Sequence, residues 1–207
     1  MVTSMPEPRR RTQAQRRDAA RAALLDTAIG LLADGGYASM TLADVGERAG
    51  YSRSLAAHYF GSKPKLLAAI IDYVLTESPP PTLDPGLRGV GRIEAEITSF
   101  FDGLVSHPSW VRVYIVIAHE AATAVPELQA AIHQQNVGFR NRVESALREG
   151  IDLGEIPSGL DTGAVSIAVM AMVRGVAWEW FTDPALGLPA CKRAILAQAR
   201  ALCTNKS

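Results

Sequence analysis

The chain has 207 residues, 48% apolar and 20% charged, with 21 Lys/Arg balanced by 21 Asp/Glu. That length buries an adequate core as one large domain or two small ones. No uninterrupted apolar run reaches the roughly 20 residues of a membrane-spanning helix, and the start, MVTSMPEPRRRTQAQRR, lacks the apolar stretch of a secretory signal, so a cytoplasmic protein without a membrane partner is expected.

Residues 1–15 read as a disordered basic arm, being polar and rich in Pro and Arg. From about 16 to 34, Leu24, Leu25, Ala28, Leu31 and Leu32 recur at helical spacing until Gly35-Gly36 stops them. Thr41 opens a short helix, with Asp44 three positions on in a capping-box arrangement, and Gly50 closes it. Ser52 is expected to cap a third helix running to about Tyr59. A fourth follows Ser62, carries Pro64 in its first turn, and extends to about Glu77. The proline-rich stretch 78–86 is incompatible with regular helix, so the division between domains (16–77 and 88–205) is placed there.

Beyond it every segment reads as helix. Ile93, Ile97, Phe100, Phe101 and Leu104 form one stripe, ended by His107-Pro108. Positions 110–118 are apolar nearly all round, which predicts burial. Leu128, Ile132, Phe139, Val143 and Leu147 mark a long helix, 161–181 another that Asp183-Pro184 stops, and Ile195, Leu196, Ala199 and Leu202 the last. Nothing alternates with a period of two, so the expected fold is all-α: nine helices in two domains.

Chemistry is constrained mainly by what is missing. Cys191 and Cys203 lie twelve positions apart in one helix, about 120° around it, and do not pair readily. His58, His107, His119 and His133 show no metal-binding spacing, and the chain has neither a Gly-rich phosphate loop nor a nucleophile elbow. No enzyme, metal or cofactor is expected. The neutral total charge hides an asymmetry: residues 1–65 hold ten Lys/Arg against six Asp/Glu, a net +4, and the remainder is −4. A phosphate-facing surface needs that bias.

The window 40–60 concentrates the signal. Two short helices flank a turn containing Ala49-Gly50-Tyr51, the sharp change of direction a helix-turn-helix requires. Leu42, Val45 and Ala49 pack the first helix, and the small Ala56 and Ala57 let the second lie close. Ser52, Arg53 and Ser54 are donors suited to phosphate oxygens and base edges. Leu55 is suited to a thymine methyl, and Arg16, Arg17 and Arg21 to the minor groove or backbone.

Leu24-Leu25-Asp26, Ala28, Gly36-Tyr37 before Thr41, Ala49-Gly50-Tyr51-Ser52, His58-Tyr59-Phe60, Ser62-Lys63 and Leu66-Leu67 occur in an order that resembles the N-terminal domain of the TetR family of transcriptional regulators. The resemblance implies an N-terminal three-helix DNA-binding domain and a larger helical domain for ligand binding and dimerisation. It makes 52–59 the recognition helix and gives Lys63 a phosphate to hold. The family often carries Thr-Leu-Tyr-Tyr where this chain has Leu55-Ala56-Ala57-His58, so His58 and Tyr59 are expected to take over phosphate contacts. The DNA-binding set is therefore Arg17, Thr41, Ser52, Arg53, Ser54, Leu55, His58, Tyr59 and Lys63.

One such motif reads few base pairs, and two related by a dyad read a palindrome. Ala164, Ala168, Ala171 and Gly175 form a small-residue stripe on helix eight, and the resemblance implies a four-helix bundle of helices eight and nine with their twofold mates. A small, largely apolar effector is expected among Phe101, Leu104, Trp110, Tyr114, Phe139, Met170 and Trp178. Its polar anchors would come from Arg112, His119, Glu120 and Arg174. Arg174 stands amid apolar residues and requires a ligand or an acidic partner such as Glu120 or Glu179. The competing reading is a helical ligand-sequestering or interaction protein with a vestigial helix-turn-helix.

Overall fold

A computed structural model describes residues 12–77 and 83–204. Most of the expected basic arm, the 78–82 part of the proline-rich stretch and position 205 lie outside the described residues. Within them the chain is helical without strands: α1 (Gln13–Gly35), α2 (Leu42–Arg48), α3 (Leu55–Phe60), α4 (Lys63–Glu77), α5 (Gly89–Ser106), α6 (Pro108–Thr123), a 3-10 turn (Pro126–Leu128), α7 (Gln129–Asp152), α8 (Thr162–Thr182) and α9 (Leu188–Thr204). The chain divides into two compact units, Met1–Ile70 and Ile71–Ser207. That division falls within α4, upstream of the proline-rich stretch.

In the N-terminal unit, α1 begins earlier than its apolar periodicity shows. Thr12 caps it: the Thr12 hydroxyl accepts from the Gln15 N–H, and the Gln15 amide oxygen accepts from the Thr12 N–H. Both orphan donors are satisfied, which fixes the first turn without any apolar contact. The core is Leu24, Leu25, Ala28 and Leu32 of α1 against Met40, Val45, Ala56, Leu66 and Leu67, each fully buried.

In the C-terminal unit, α5 packs against α7, α8 and α9. Ile93, Ile97, Phe101 and Leu104 meet Val143, Ala146, Leu147, Val165, Val169, Val173, Ile195 and Ala199 in one core. Burying each of the larger of these side chains fully is worth about 1.5–3 kcal/mol. Ion pairs tie the surface of the bundle: Arg200 of α9 with Glu94 of α5, and Lys192 of α9 with Asp102 of α5 at 3.1 Å.

Two expectations are corrected here. Within 110–118 only Val113 and Ile117 are buried; the other seven positions of that stretch of α6 are half-buried. Being apolar all round is satisfied there in part by a cavity wall rather than by core. On α9, Ile195 and Ala199 are buried in the chain's own core, and Leu196 and Leu202 pack half-buried against it. Among the described helices α8 is long and apolar enough to cross a membrane. It nonetheless carries Arg174 and Glu179 and supplies Val165, Val169, Val173 and Ala177 to the bundle core.

Candidate nucleic-acid interface and effector cavity

The interface is built on the cap of α2. Thr41 Oγ1 accepts from the Asp44 N–H at 3.2 Å, while the Asp44 carboxylate accepts from the Thr41 hydroxyl at 2.6 Å and from the Thr41 N–H at 3.2 Å. The Thr41 hydroxyl is therefore engaged in the cap that orients this helix end. That hydroxyl bond is the main cause of a lowered Asp44 pKa, with the Thr41 N–H, Arg53 and Arg48 assisting against a desolvation that raises it. A carboxylate whose pKa is lowered on folding stabilises above its unfolded pKa and loses that contribution as pH falls through the folded value. Thr41→Ala is expected to lower the melting temperature of the N-terminal unit by about 4–8 °C at neutral pH. Asp44→Asn should flatten the acid limb of its stability; far-UV circular dichroism melts between neutral and acid pH check both.

The segment between the helices is longer than its sequence shows. α2 ends at Arg48 and α3 starts at Leu55, so six residues, 49–54, make the turn rather than three. Ser52 does not cap α3: its carbonyl accepts from the Leu55 N–H at 3.0 Å, and its hydroxyl lies 3.3 Å from that of Ser54. Ser54 holds the N-cap position without a side-chain bond to the helix. Gly50, at φ +79°, supplies the left-handed residue that lets the Tyr51 N–H reach the Gly46 carbonyl at 2.9 Å.

Ser52, Arg53, Ser54 and His58 are all exposed, Leu55 and Tyr59 half-buried, and Ala56 and Phe60 buried. The front of α3 and the turn before it thus present two hydroxyls and a guanidinium on one exposed edge. Arg53 Nε stands 3.9 Å from the Glu47 carboxylate, with both side chains largely in solvent. Such a pair is worth little and leaves the guanidinium available. The Tyr59 hydroxyl donates to the Arg17 carbonyl at 3.3 Å and ties α3 to α1, while the Arg17 side chain is exposed.

Lys63 makes a contact within the chain that its sequence does not show. Its ammonium donates to the Tyr37 carbonyl at 2.5 Å and lies 3.8 Å from the centre of the Tyr37 ring. It clamps the turn after α1 to the start of α4. The partner stands 26 positions away in the chain, out of reach of a local reading.

The C-terminal unit contains a cavity of about 670 Å³ between α5, α6, α7 and α8. Trp110, Tyr114, Phe139, Met170 and Arg174 line it, joined by Phe100 and Val173, by Val74 of α4 and by the polar Gln135. The other expected residues are elsewhere. Phe101 and Leu104 turn into the bundle core at 3% and 0% exposure. His119 is exposed on α6, and Trp178 is 51% exposed on α8. Arg112 lies over the Phe181 ring, 4.9 Å from its centre, outside the cavity lining.

Arg174 has found neither Glu120 nor Glu179. Its Nη2 donates to the Tyr114 hydroxyl at 2.8 Å and to Asn136 Oδ1 at 2.7 Å, and the Tyr114 hydroxyl donates to the same Asn136 oxygen at 2.7 Å. Burial pushes the Tyr114 pKa up, against the opposing charge of Arg174, so the phenol stays protonated and keeps donating. The other cation of the lining, Arg142, pairs through Nε with both oxygens of Glu96 at 3.0 and 3.1 Å.

Residues 24–70 match the profile described as bacterial regulatory proteins, tetR family, and residues 90–204 that of the BetI-type transcriptional repressor C-terminal domain, more than half of the chain. The chain belongs to the TetR family of transcriptional regulators. Its members are DNA-binding proteins rather than enzymes. Among its relatives, the HTH-type transcriptional regulator CymR of Pseudomonas putida is 40% identical over 67 residues, 32% of this chain and 33% of that protein. The match thus spans about a third of that relative. The probable HTH-type transcriptional regulator ArpR of the same species is 25% identical over 84% of this chain and 86% of its own length. The crystal structure of FadR from Bacillus subtilis with stearoyl-CoA shares the fold at a TM-score of 0.76 and 19% identity, covering 87% of this chain and 97% of that one.

Within this TetR-family chain, three residues of evident consequence escape the sequence. Gly46 is buried where a Cβ would stand 2.5 Å from the Ser52 carbonyl oxygen. Gln135 and Asn136 lie on a polar stretch of α7 that reads as a solvated face. Only the fold shows what these three meet.

Proposed function

We propose that the chain is a ligand-responsive repressor that binds a palindromic operator in the cytoplasm as a homodimer. The observation that carries this reading is the exposed edge of Ser52, Arg53 and Ser54 at the front of α3, held by a satisfied cap on α2 and a buried Ala56. Hydroxyls and a guanidinium there suit phosphate oxygens and base edges, with His58, Tyr59 and Arg17 alongside and Leu55 turned toward a thymine methyl. Repression is supported by the BetI-type description of the C-terminal match. Effector binding is supported by the cavity and by the stearoyl-CoA that FadR, a protein of the same fold, holds. Because α4 supplies Val74 to the cavity lining and begins beside the recognition segment in sequence, it is the element through which a ligand would act. The effector changes DNA affinity only to the extent that it prefers one of two states.

Salt-dependent, sequence-selective binding to DNA from upstream of its own gene is the expected behaviour of the purified chain. Arg53→Ala should lower affinity by about 10-fold or more and relax base preference at one position. Fluorescence anisotropy at several salt concentrations measures both. Binding that ignores salt and sequence would favour the sequestering or interaction reading instead.

For the dimer, the support is the outward face of α8. Ala164, Ile167, Ala168, Ala171, Gly175 and Trp178 fall within a sector of about 100°. Ile167 is 47% and Trp178 51% exposed. Small residues flanked by a large aromatic allow a second helix to approach closely. Trp178→Asp is expected to shift the chain from dimer to monomer at micromolar concentration in light scattering, with its helix content unchanged. An unaltered dimer would place the interface elsewhere.

A further inference from the structure

The charges around the cavity do not cancel evenly. Arg142 is neutralised by Glu96, and Asp102 by Lys192 at 3.1 Å. His107, also at the wall, stacks on the Trp110 ring with centroids 4.5 Å apart. Of the two arginines at the wall, Arg174 has only neutral partners, the Tyr114 hydroxyl and Asn136 Oδ1, and only its Nη2 is engaged. Its Nε and Nη1 form no hydrogen bond with any described residue, and it forms no ion pair with any described Asp or Glu.

A charged group beside an apolar wall is costly unless paired. Tyr114 and Asn136 do not pair with it; they hold it. One nitrogen is fixed by two oxygens that are also bonded to each other, and the cation rests on the Tyr114 ring, 5.0 Å from its centre. The remaining donors, Nε and Nη1, are thereby held in a fixed plane, each able to give a carboxylate oxygen a charge-assisted hydrogen bond. The rest of the lining is predominantly apolar and aromatic: Phe100, Trp110, Phe139, Met170 and Val173.

Resting on the reading of this cavity as the effector site, we propose that the effector is an organic monocarboxylate: an apolar body against the aromatic wall and one carboxylate on Arg174. One uncompensated cation matches one negative charge. A polyanion would leave charge unpaired among apolar side chains.

The test uses the full-length chain and isothermal titration calorimetry with two matched pairs, decanoate against decanol and naphthylacetate against naphthylethanol. At least one acid is expected to bind about 10-fold or more tighter than its alcohol, the range of a charge-assisted hydrogen bond. Arg174→Gln should bring that ratio to about one with alcohol affinity retained, which also shows the variant to be folded. Arg174→Lys should keep part of the preference. Alcohols that bind as well as the acids, or an acid preference that survives in Arg174→Gln, would overturn the assignment while leaving the cavity as a binding site. Naphthyl phosphate binding more tightly than naphthylacetate would overturn the monocarboxylate in favour of a dianion. Failure of every acid and every alcohol to bind would overturn both this inference and the effector reading beneath it.

Discussion

Gly46→Ala is expected to lower the stability of the N-terminal unit by about 3 kcal/mol and to reduce DNA affinity more than any single surface substitution. The added methyl would stand 2.5 Å from the Ser52 carbonyl oxygen and 3.3 Å from Arg53 Cα. Both are backbone atoms of the turn that sets the front of α3, so relief is possible only by moving that turn. A unit of this size buries a modest fraction of its surface and has little margin to absorb the loss. Gly50→Ala makes an informative comparison: nothing lies within 4 Å of the added methyl, and the strain comes only from its positive φ. That costs about 1–2 kcal/mol. The two units can be followed separately, because Trp110, Trp178 and Trp180 all belong to the C-terminal one. Gly46→Ala should lower an early far-UV circular dichroism transition and leave the tryptophan fluorescence midpoint where it was. An unchanged early transition with unchanged DNA affinity would show that the turn tolerates the methyl.

Arg142→Met is expected to destabilise the C-terminal unit by about 3 kcal/mol. Glu96 is 5% exposed, and the Nε of Arg142 bonds both its oxygens. Removing the cation strands a carboxylate in the bundle, and the stranded charge rather than the lost pair is the larger part of the penalty. Partial exposure of the guanidinium, 36% at the side chain, keeps the figure at the low end for such pairs. The double variant Glu96→Gln/Arg142→Met should recover most of the loss, since a neutral amide needs no counter-charge. Tryptophan-detected chemical unfolding of the two variants gives the comparison. A double variant as unstable as Arg142→Met alone would mean that packing of the arginine stem, not charge, holds α5 to α7.

Much of the fold was legible because its signals are local. The Thr41–Asp44 box, Gly50 as a helix stop, Pro64 in the first turn of α4 and His107-Pro108 ending α5 each act over three or four residues, and each is where its spacing put it. What escaped depends on partners remote in the chain. Ser52 looked like a cap because it is a serine before a helix, yet its carbonyl closes a turn and α3 starts three residues later. The bond from Lys63 to the Tyr37 carbonyl joins groups 26 positions apart that only folding brings together. The partners of Arg174 are 60 and 38 positions away and neutral, whereas a charge amid apolar residues directs attention to acids. Trp178 joined the cavity set on its aromatic character alone. Its angle on α8 puts it with Ala171 and Gly175 on the exposed side, next to the cavity-lining Arg174 but outside the lining itself.

Selection from a random pool of duplexes, sequenced after binding to the purified full-length chain, tests the central claim most directly. The expected pool is dominated by an inverted repeat whose half-sites are about 10 base pairs, or a multiple of that, apart from centre to centre. That repeat should hold two copies of the chain and fade from the pool when Arg53→Ala is used. A pool with no enriched sequence, or one asymmetric site filled by a single copy, would contradict it.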